Sequence, residues 1–121
     1  MDDSTDAALA RRFGADMRRG ISLLSDKGYD ATYFRRMLGT HGPVEAARRL
    51  VSDPAPSYGL WRLHQMGHLD MSVEMWVLLP WYEPLFAPEL RRRAETKLNA
   101  LGVDVPAELA RLVRRLEPGE A

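Results

Sequence analysis

The chain of 121 residues contains no cysteine. Disulfide bridges, thiolate zinc sites and cysteine nucleophiles are therefore excluded, and a reducing cytoplasm is the expected setting. The chain also lacks any window close to the roughly 18 consecutive apolar residues that a membrane span needs. Its N-terminus is acidic, where a signal peptide would be basic. We therefore expect a cytoplasmic protein without a membrane segment.

The chain also has a formal net charge of zero at pH 7, because 17 basic residues balance 17 acidic residues. A neutral chain has no global field with which to hold a polyanion such as DNA. Gly-rich phosphate loops, nucleophile elbows and dinucleotide-binding fingerprints do not occur. No motif in the sequence therefore assigns an enzymatic reaction or a cofactor.

Apolar residues are plentiful, at 45% of the chain, and three tryptophans are present. This composition indicates a folded globular protein, and the length is that of one domain with one core. We therefore expect a single helical domain over residues 1–121. The terminal segments 1–4 and 117–121 are expected to be frayed.

The spacing of apolar residues at three and four positions predicts an all-α fold, and no strand-like alternation competes with it. The expected architecture is a compact bundle of about five to seven short helices, built from stacked helical hairpins at 29–52 and 58–79. The predicted helices span about 6–25, 30–38, 43–52, 58–66, 73–79, 90–101 and 104–116.

Several residues mark the expected ends of these helices. Gly28 ends the first helix, Asp30 caps the second and Ser72 caps the fifth. The proline-rich segment 53–57 is expected to be a loop. Trp76 lies in the most apolar run of the chain, so we expect it among the most buried residues.

Large aromatic residues are concentrated near proline-rich corners, in a number that exceeds the obvious needs of a small core. Exposed tryptophan and tyrosine side chains are favoured anchors of protein interfaces. The leading hypothesis is therefore a non-enzymatic helical module that binds another protein. Its candidate contact residues are Tyr58, Trp81, Tyr82 and Phe86, although a purely structural role in the core explains them equally well. The sequence does not indicate an oligomeric state.

Arginine pairs along the chain favour a different hypothesis, an accessory protein that contacts the backbone of nucleic acid. The first helix offers the candidate contacts Arg11, Arg12, Arg18 and Arg19. A solvated helix face explains such pairs more simply. The zero net charge also disfavours nucleic acid as the partner.

Three histidines define a third hypothesis, a small hydrolase or metal-dependent enzyme around His41, His64 and His68. A histidine pair four residues apart can bind zinc on a continuous helix. Gly67 interrupts that helix, and no glutamate stands beside His64 to act as a base. We therefore expect no metal and no catalytic centre.

A pattern of apolar residues, glycine corners and caps covers about 29–102. The pattern comprises Tyr29, Phe34, Met37, Leu38, Gly42, Ala46, Ala47, Leu50, Leu63, Gly67, Leu69 to Glu74, Leu85, Phe86, Ala94 and Leu98. Through these residues the chain resembles an uncharacterised bacterial family of small helical domains. The resemblance implies a helical fold and a bacterial origin, and it implies no activity, cofactor or catalytic residue.

Overall fold

The computed structural model describes residues 3–53 and 58–117, with side chains described from Asp6 onward except that of Tyr58. These residues form α-helices and short 3-10 helices, and they contain no strand. The all-α prediction is therefore confirmed. The α-helices are α1 (Asp3–Asp26), α2 (Thr32–His41), α3 (Pro43–Ser52), α4 (Tyr58–Gln65), α5 (Val73–Trp76), α6 (Pro88–Asn99) and α7 (Val105–Leu116).

Two 3-10 helices flank α5, a first at Leu69–Met71 and a second at Pro80–Leu85. The helix predicted over 73–79 is therefore α-helical for only one turn. The prolines of the next segment explain part of this difference, because Pro80 cannot donate the backbone hydrogen bond that would continue the helix. Residues 54–57 of the predicted loop lie outside the described residues, as do parts of both predicted frayed tails.

Helix α3 lies at the centre and contacts α1, α2, α5 and α6. Its buried face carries Ala46, Ala47 and Val51, all completely inaccessible to solvent. Small side chains allow neighbouring helices to come close, so one short helix can contact four others. Among the described residues, none of the helices is long and apolar enough to cross a membrane.

Aromatic rings join α1 to the second 3-10 helix. The ring of Phe13 makes edge contacts with Tyr82 at 5.0 Å and with Phe86 at 5.1 Å between centroids. The Tyr82 hydroxyl donates a hydrogen bond to the carboxylate of Asp16. Burial raises the pKa of Tyr82, and the bond to Asp16 raises it further. Among the described residues, Tyr82 is the largest fully buried side chain.

Trp76 is only partly buried, which corrects the expectation from its apolar run. Its indole Nε1 donates a hydrogen bond to the backbone oxygen of Asp70 at 2.8 Å. The need for that acceptor holds the indole at the edge of the core, since a buried indole N–H without a partner is costly.

The predicted helix ends are confirmed in part. Ser72 Oγ accepts a hydrogen bond from the backbone N–H of Met75 at 3.1 Å, as expected of an N-cap. Gly28 has a φ of 90°, a value that glycine adopts without strain, and it lies two residues after the end of α1. Asp30 does not cap α2, because its carboxylate accepts a hydrogen bond from the Thr32 hydroxyl at 2.6 Å instead.

Two glycines of α1 differ in their surroundings and allow a matched test. A Cβ at Gly14 would lie 2.8 Å from Cγ of Pro43, whereas a Cβ at Gly20 would meet no atom within 4 Å. We expect Gly20→Ala to stabilise the protein by up to ~1 kcal/mol through helix propensity. We expect Gly14→Ala to destabilise it by about 1–3 kcal/mol through overpacking against the rigid proline ring. Urea denaturation of both variants measures the two changes in the free energy of unfolding. Equal changes of the same sign would contradict the close contact between Gly14 and Pro43.

Candidate functional site

A largely apolar groove of about 550 Å³ runs beside α1 and is walled by α4, α5 and the end of α7. We call it the α1–α4 groove. Its volume falls within the range of ligand-binding clefts, roughly 300–1,000 Å³. Its apolar lining includes Met17, Gly20, Leu24, Leu60, Leu63 and Val73.

Exposed apolar side chains border this groove. Tyr33 is 68% exposed and Leu23 is 45% exposed, and both belong to the groove lining. Charged side chains complete the rim, among them Arg19 and Lys27. An apolar floor with a charged rim is the usual composition of a protein interface.

Glu74 lies in the wall of the groove and is a buried charged residue. Its side chain is 3% exposed, and its Oε2 lies 3.5 Å from Nζ of Lys97, which is itself buried. The Lys97 ammonium also donates a hydrogen bond to the backbone oxygen of Leu50 at 3.0 Å. Among the described residues, Oε2 of Glu74 is buried without any hydrogen-bond partner.

Burial raises the pKa of Glu74 above its ordinary value near 4.5, because desolvation penalises the carboxylate. The charge of Lys97 opposes this effect in part. A carboxyl group with a raised pKa in the wall of a cleft is a common property of functional sites.

The aromatic candidates from the sequence do not form one exposed surface. Tyr82 is 0% exposed and Phe86 is 2% exposed, which corrects the prediction that they are binding anchors. The second 3-10 helix turns both rings inward onto Phe13. Trp81 is partly buried beneath the guanidinium of Arg12, 5.3 Å from the ring centroid. Tyr58 begins α4, but its side chain lies outside the described residues.

Several arginines have a structural role that the sequence did not reveal, because they donate hydrogen bonds to backbone oxygens. Arg91 donates hydrogen bonds to the backbone oxygens of Val77 and Leu78, at 3.0 and 2.7 Å. Arg93 donates to the oxygen of Ser52 at 3.1 Å, and Arg48 to that of Leu85 at 3.0 Å. These cations satisfy carbonyl groups where short helices and turns end.

The nucleic-acid candidates on α1 are all exposed. Arg12 stacks on Trp81 and Tyr82. Arg11, Arg18 and Arg19 form no ion pair within the described part of the chain. Of the four arginines, only Arg19 lines the α1–α4 groove.

The three histidines occupy separate places. His41 is the exposed last residue of α2, while His64 near the end of α4 is separated from His68 by Gly67 at a φ of 77°. In ranges 3–53 and 58–117, no group of three acidic or histidine side chains could hold a metal ion. Asp70 instead pairs with Arg115 at 2.9 Å.

Sequence reasoning missed the groove and the Glu74–Lys97 pair. A signal was present, because Glu74 is the only charged residue between Met71 and Leu79. Lys97 adjoins Leu98 and lies three residues after Ala94, within the apolar stripe of α6. A charge at an apolar position of each of two helices indicates a buried ion pair.

Comparison with known proteins found no match among protein-family models, curated proteins or solved structures. The resemblance to a bacterial family therefore stays a prediction.

The buried ion pair gives a first prediction for this site. Lys97→Met leaves the Glu74 carboxylate buried without its charge partner, so we expect a loss of about 3–5 kcal/mol in the free energy of unfolding. Adding Glu74→Met to that variant should recover most of the loss, because two apolar side chains of similar length then replace the pair. Urea denaturation measures both variants. If the double variant loses as much free energy of unfolding as the two single variants together, the Glu74–Lys97 pair is contradicted.

The raised pKa of Glu74 gives a second prediction. Above about pH 4.5, the folded protein holds the Glu74 proton more readily than the unfolded chain does, so stability from this group is present at low pH and lost as pH rises. The stability of Glu74→Gln relative to wild type should therefore increase from about pH 4 to about pH 8. The same substitution at exposed Glu89 is the matched control. A pH-independent difference at Glu74 would refute the assignment.

Proposed function

We propose that this protein is a non-enzymatic binding module that docks a helical segment of another protein in the α1–α4 groove. The observation that carries the proposal is the ligand-sized apolar groove with exposed Leu23 and Tyr33 at its margin. Amphipathic helices commonly bind in such grooves through apolar residues at positions i, i+3 or i+4, and i+7.

The length of the groove supports a helix as its occupant. Its wall on α1 extends from Asp16 to Leu24, and Lys27 continues the lining past the end of that helix. At a rise of 1.5 Å per residue, Asp16 to Leu24 span about 12 Å. Anchors at i and i+7 of a partner helix lie about 10.5 Å apart, so the groove accommodates two turns of such a helix.

The two alternative functions receive less support from the geometry. Nucleic-acid binding would use Arg11, Arg12, Arg18 and Arg19, but Arg12 already stacks on aromatic rings. The groove gives no support to an enzyme around His41, His64 and His68, since none of the three lines it. We also propose that the protein works in a bacterial cytoplasm. The absence of cysteine and the resemblance to a bacterial family support this setting.

Photo-crosslinking in the native host tests the proposal. A photoreactive residue at position 33 should capture a partner protein, whereas one at exposed Ala110 on α7 is the positional control. Mass spectrometry identifies the crosslinked segment, which should carry apolar residues at helical spacing. A synthetic peptide of that segment then allows affinity to be measured directly.

Gly20 and Gly39 provide matched variants for this measurement. A Cβ atom at either position meets no atom within 4 Å, but of the two glycines only Gly20 lines the groove. We expect Gly20→Phe to fill the groove and weaken peptide binding at least about tenfold, or ~1.4 kcal/mol. Gly39→Phe on α2 should change binding less than about twofold, ~0.4 kcal/mol. Equal effects of the two substitutions, or equal crosslinking at 33 and 110, would overturn the proposal.

A further inference from the structure

The acidic residues that line the α1–α4 groove already have partners within the protein. They are Asp16, Asp30, Asp53 and Glu74. Asp30 and Glu74 are ion-paired with cations that do not belong to the lining, at 3.7 and 3.5 Å. The charges of these two carboxylates are therefore balanced before any partner binds.

The basic residues of the lining are partnered only in part. Arg115 pairs with Asp70 at 2.9 Å. Arg19 and Lys27 form no ion pair within the described part of the chain, and both side chains are exposed. An anion that enters the groove can therefore pair with Arg19 and Lys27 without breaking an existing ion pair.

These two cations belong to one ridge of α1. Arg19, Leu23 and Lys27 recur every four residues, and residues at that spacing form a continuous row along a helix. All three are exposed, and all three line the groove. Lys27 follows the last residue of α1, and its backbone N–H still bonds to the oxygen of Leu24 at 3.0 Å. We call this row, an exposed leucine between two cations, the α1 ridge.

An acidic helix complements the α1 ridge in charge and in spacing. At a rise of 1.5 Å per residue, Arg19 and Lys27 lie about 12 Å apart along the helix axis. Residues seven or eight positions apart on a partner helix span about 10.5–12 Å, so two carboxylates at that spacing reach both cations. An apolar residue midway between them then meets Leu23. Such rim pairs stay partly solvated, and they select a partner by charge without a large desolvation cost.

Two other occupants match the α1 ridge less well. A fatty acid carries one anionic headgroup, whereas the ridge presents two cations on either side of Leu23. A second copy of this chain, docked with antiparallel α1 helices about Leu23, would bring Arg19 opposite Lys27 of the other copy. Like charges that face each other across an interface oppose association.

We propose that the segment docked in the α1–α4 groove is an acidic amphipathic helix with two carboxylates, seven or eight residues apart, that pair with Arg19 and Lys27. This inference rests on the proposed function and specifies the chemistry of the partner. It assigns Arg19 and Lys27 as specificity-determining residues of the groove.

Two synthetic peptides test the charge of the partner. Both have the same alanine-rich host of roughly 18 residues, long enough to be helical, and the same stripe of leucines. They carry either two glutamates or two lysines, eight residues apart, beside that stripe. Isothermal titration calorimetry at ~150 mM salt should show that the glutamate peptide binds the wild-type protein about tenfold more tightly than the lysine peptide. Added salt should weaken this preference, since rim charges are screened.

Charge-reversed variants show which cations the peptides recognise. The double variant Arg19→Glu, Lys27→Glu should prefer the lysine peptide, because both pairs are then reversed. Its control is Arg11→Glu, Arg18→Glu, which makes the same change in net charge at exposed residues of α1 that do not line the groove. This control should still prefer the glutamate peptide, with affinity changed less than about threefold. Circular dichroism melts establish that each variant is folded, and Arg19→Gln, Lys27→Gln should show no preference.

The outcomes separate this inference from the proposed function. Equal binding of the two peptides to wild type, or equal effects of the two charge-reversed variants, would overturn the role of the α1 ridge and leave groove docking intact. Binding of neither peptide would also overturn the inference. The proposed function is decided independently by the photo-crosslinking and by the Gly20→Phe and Gly39→Phe measurements on the captured segment.

Other occupants of the groove give distinct results. A captured segment without two acidic residues seven or eight positions apart would overturn the inference. Binding of decanoate that is lost in Arg19→Glu, Lys27→Glu, with neither peptide bound, would assign the groove to a fatty acid. A wild-type dimer in analytical ultracentrifugation that Gly20→Phe dissociates would assign the groove to a second copy. Each of these two results would also overturn the acidic helix.

Discussion

Backbone carbonyl groups at the ends of short helices are the constraint on which this structure depends. Several helices have only four to twelve residues, and each ends with carbonyl groups that have no partner within the helix. Arg91, Arg93 and Lys97 of α6 donate hydrogen bonds to such groups after α5 and at the end of α3. One helix thereby fixes the positions of two others and holds the central α3 against its neighbours.

The same constraint places a charge pair beside the groove. Lys97 must reach the carbonyl of Leu50, and it brings a cation into a buried region. Glu74 balances that cation from α5. Among the described residues, Oε2 of Glu74 has no hydrogen-bond partner, and Glu74 also lines the groove. The capping of α3 and one wall of the groove are thus linked through one ion pair.

A second connection runs through the aromatic core. Phe13 and Tyr82 pack edge to face, and the Tyr82 hydroxyl bonds to Asp16 on the next turn of α1. Asp16 also lies at the rim of the groove. The aromatic residues that suggested a binding surface in the sequence therefore support that surface from within, since they fix the helix that forms one wall of the groove.

The sequence by itself determined the helical class, the bounds of α3 and the capping role of Ser72, because local spacing, propensity and caps act over a few residues. Only the tertiary structure decided which aromatic and charged residues are buried. Tyr82 and Trp81 are adjacent in sequence, yet one ring is fully buried and the other is partly exposed. The arginines that cap carbonyl groups look in sequence like those on solvated faces. Their partners lie 12 to 41 residues away, and such distant contacts depend on how the helices pack.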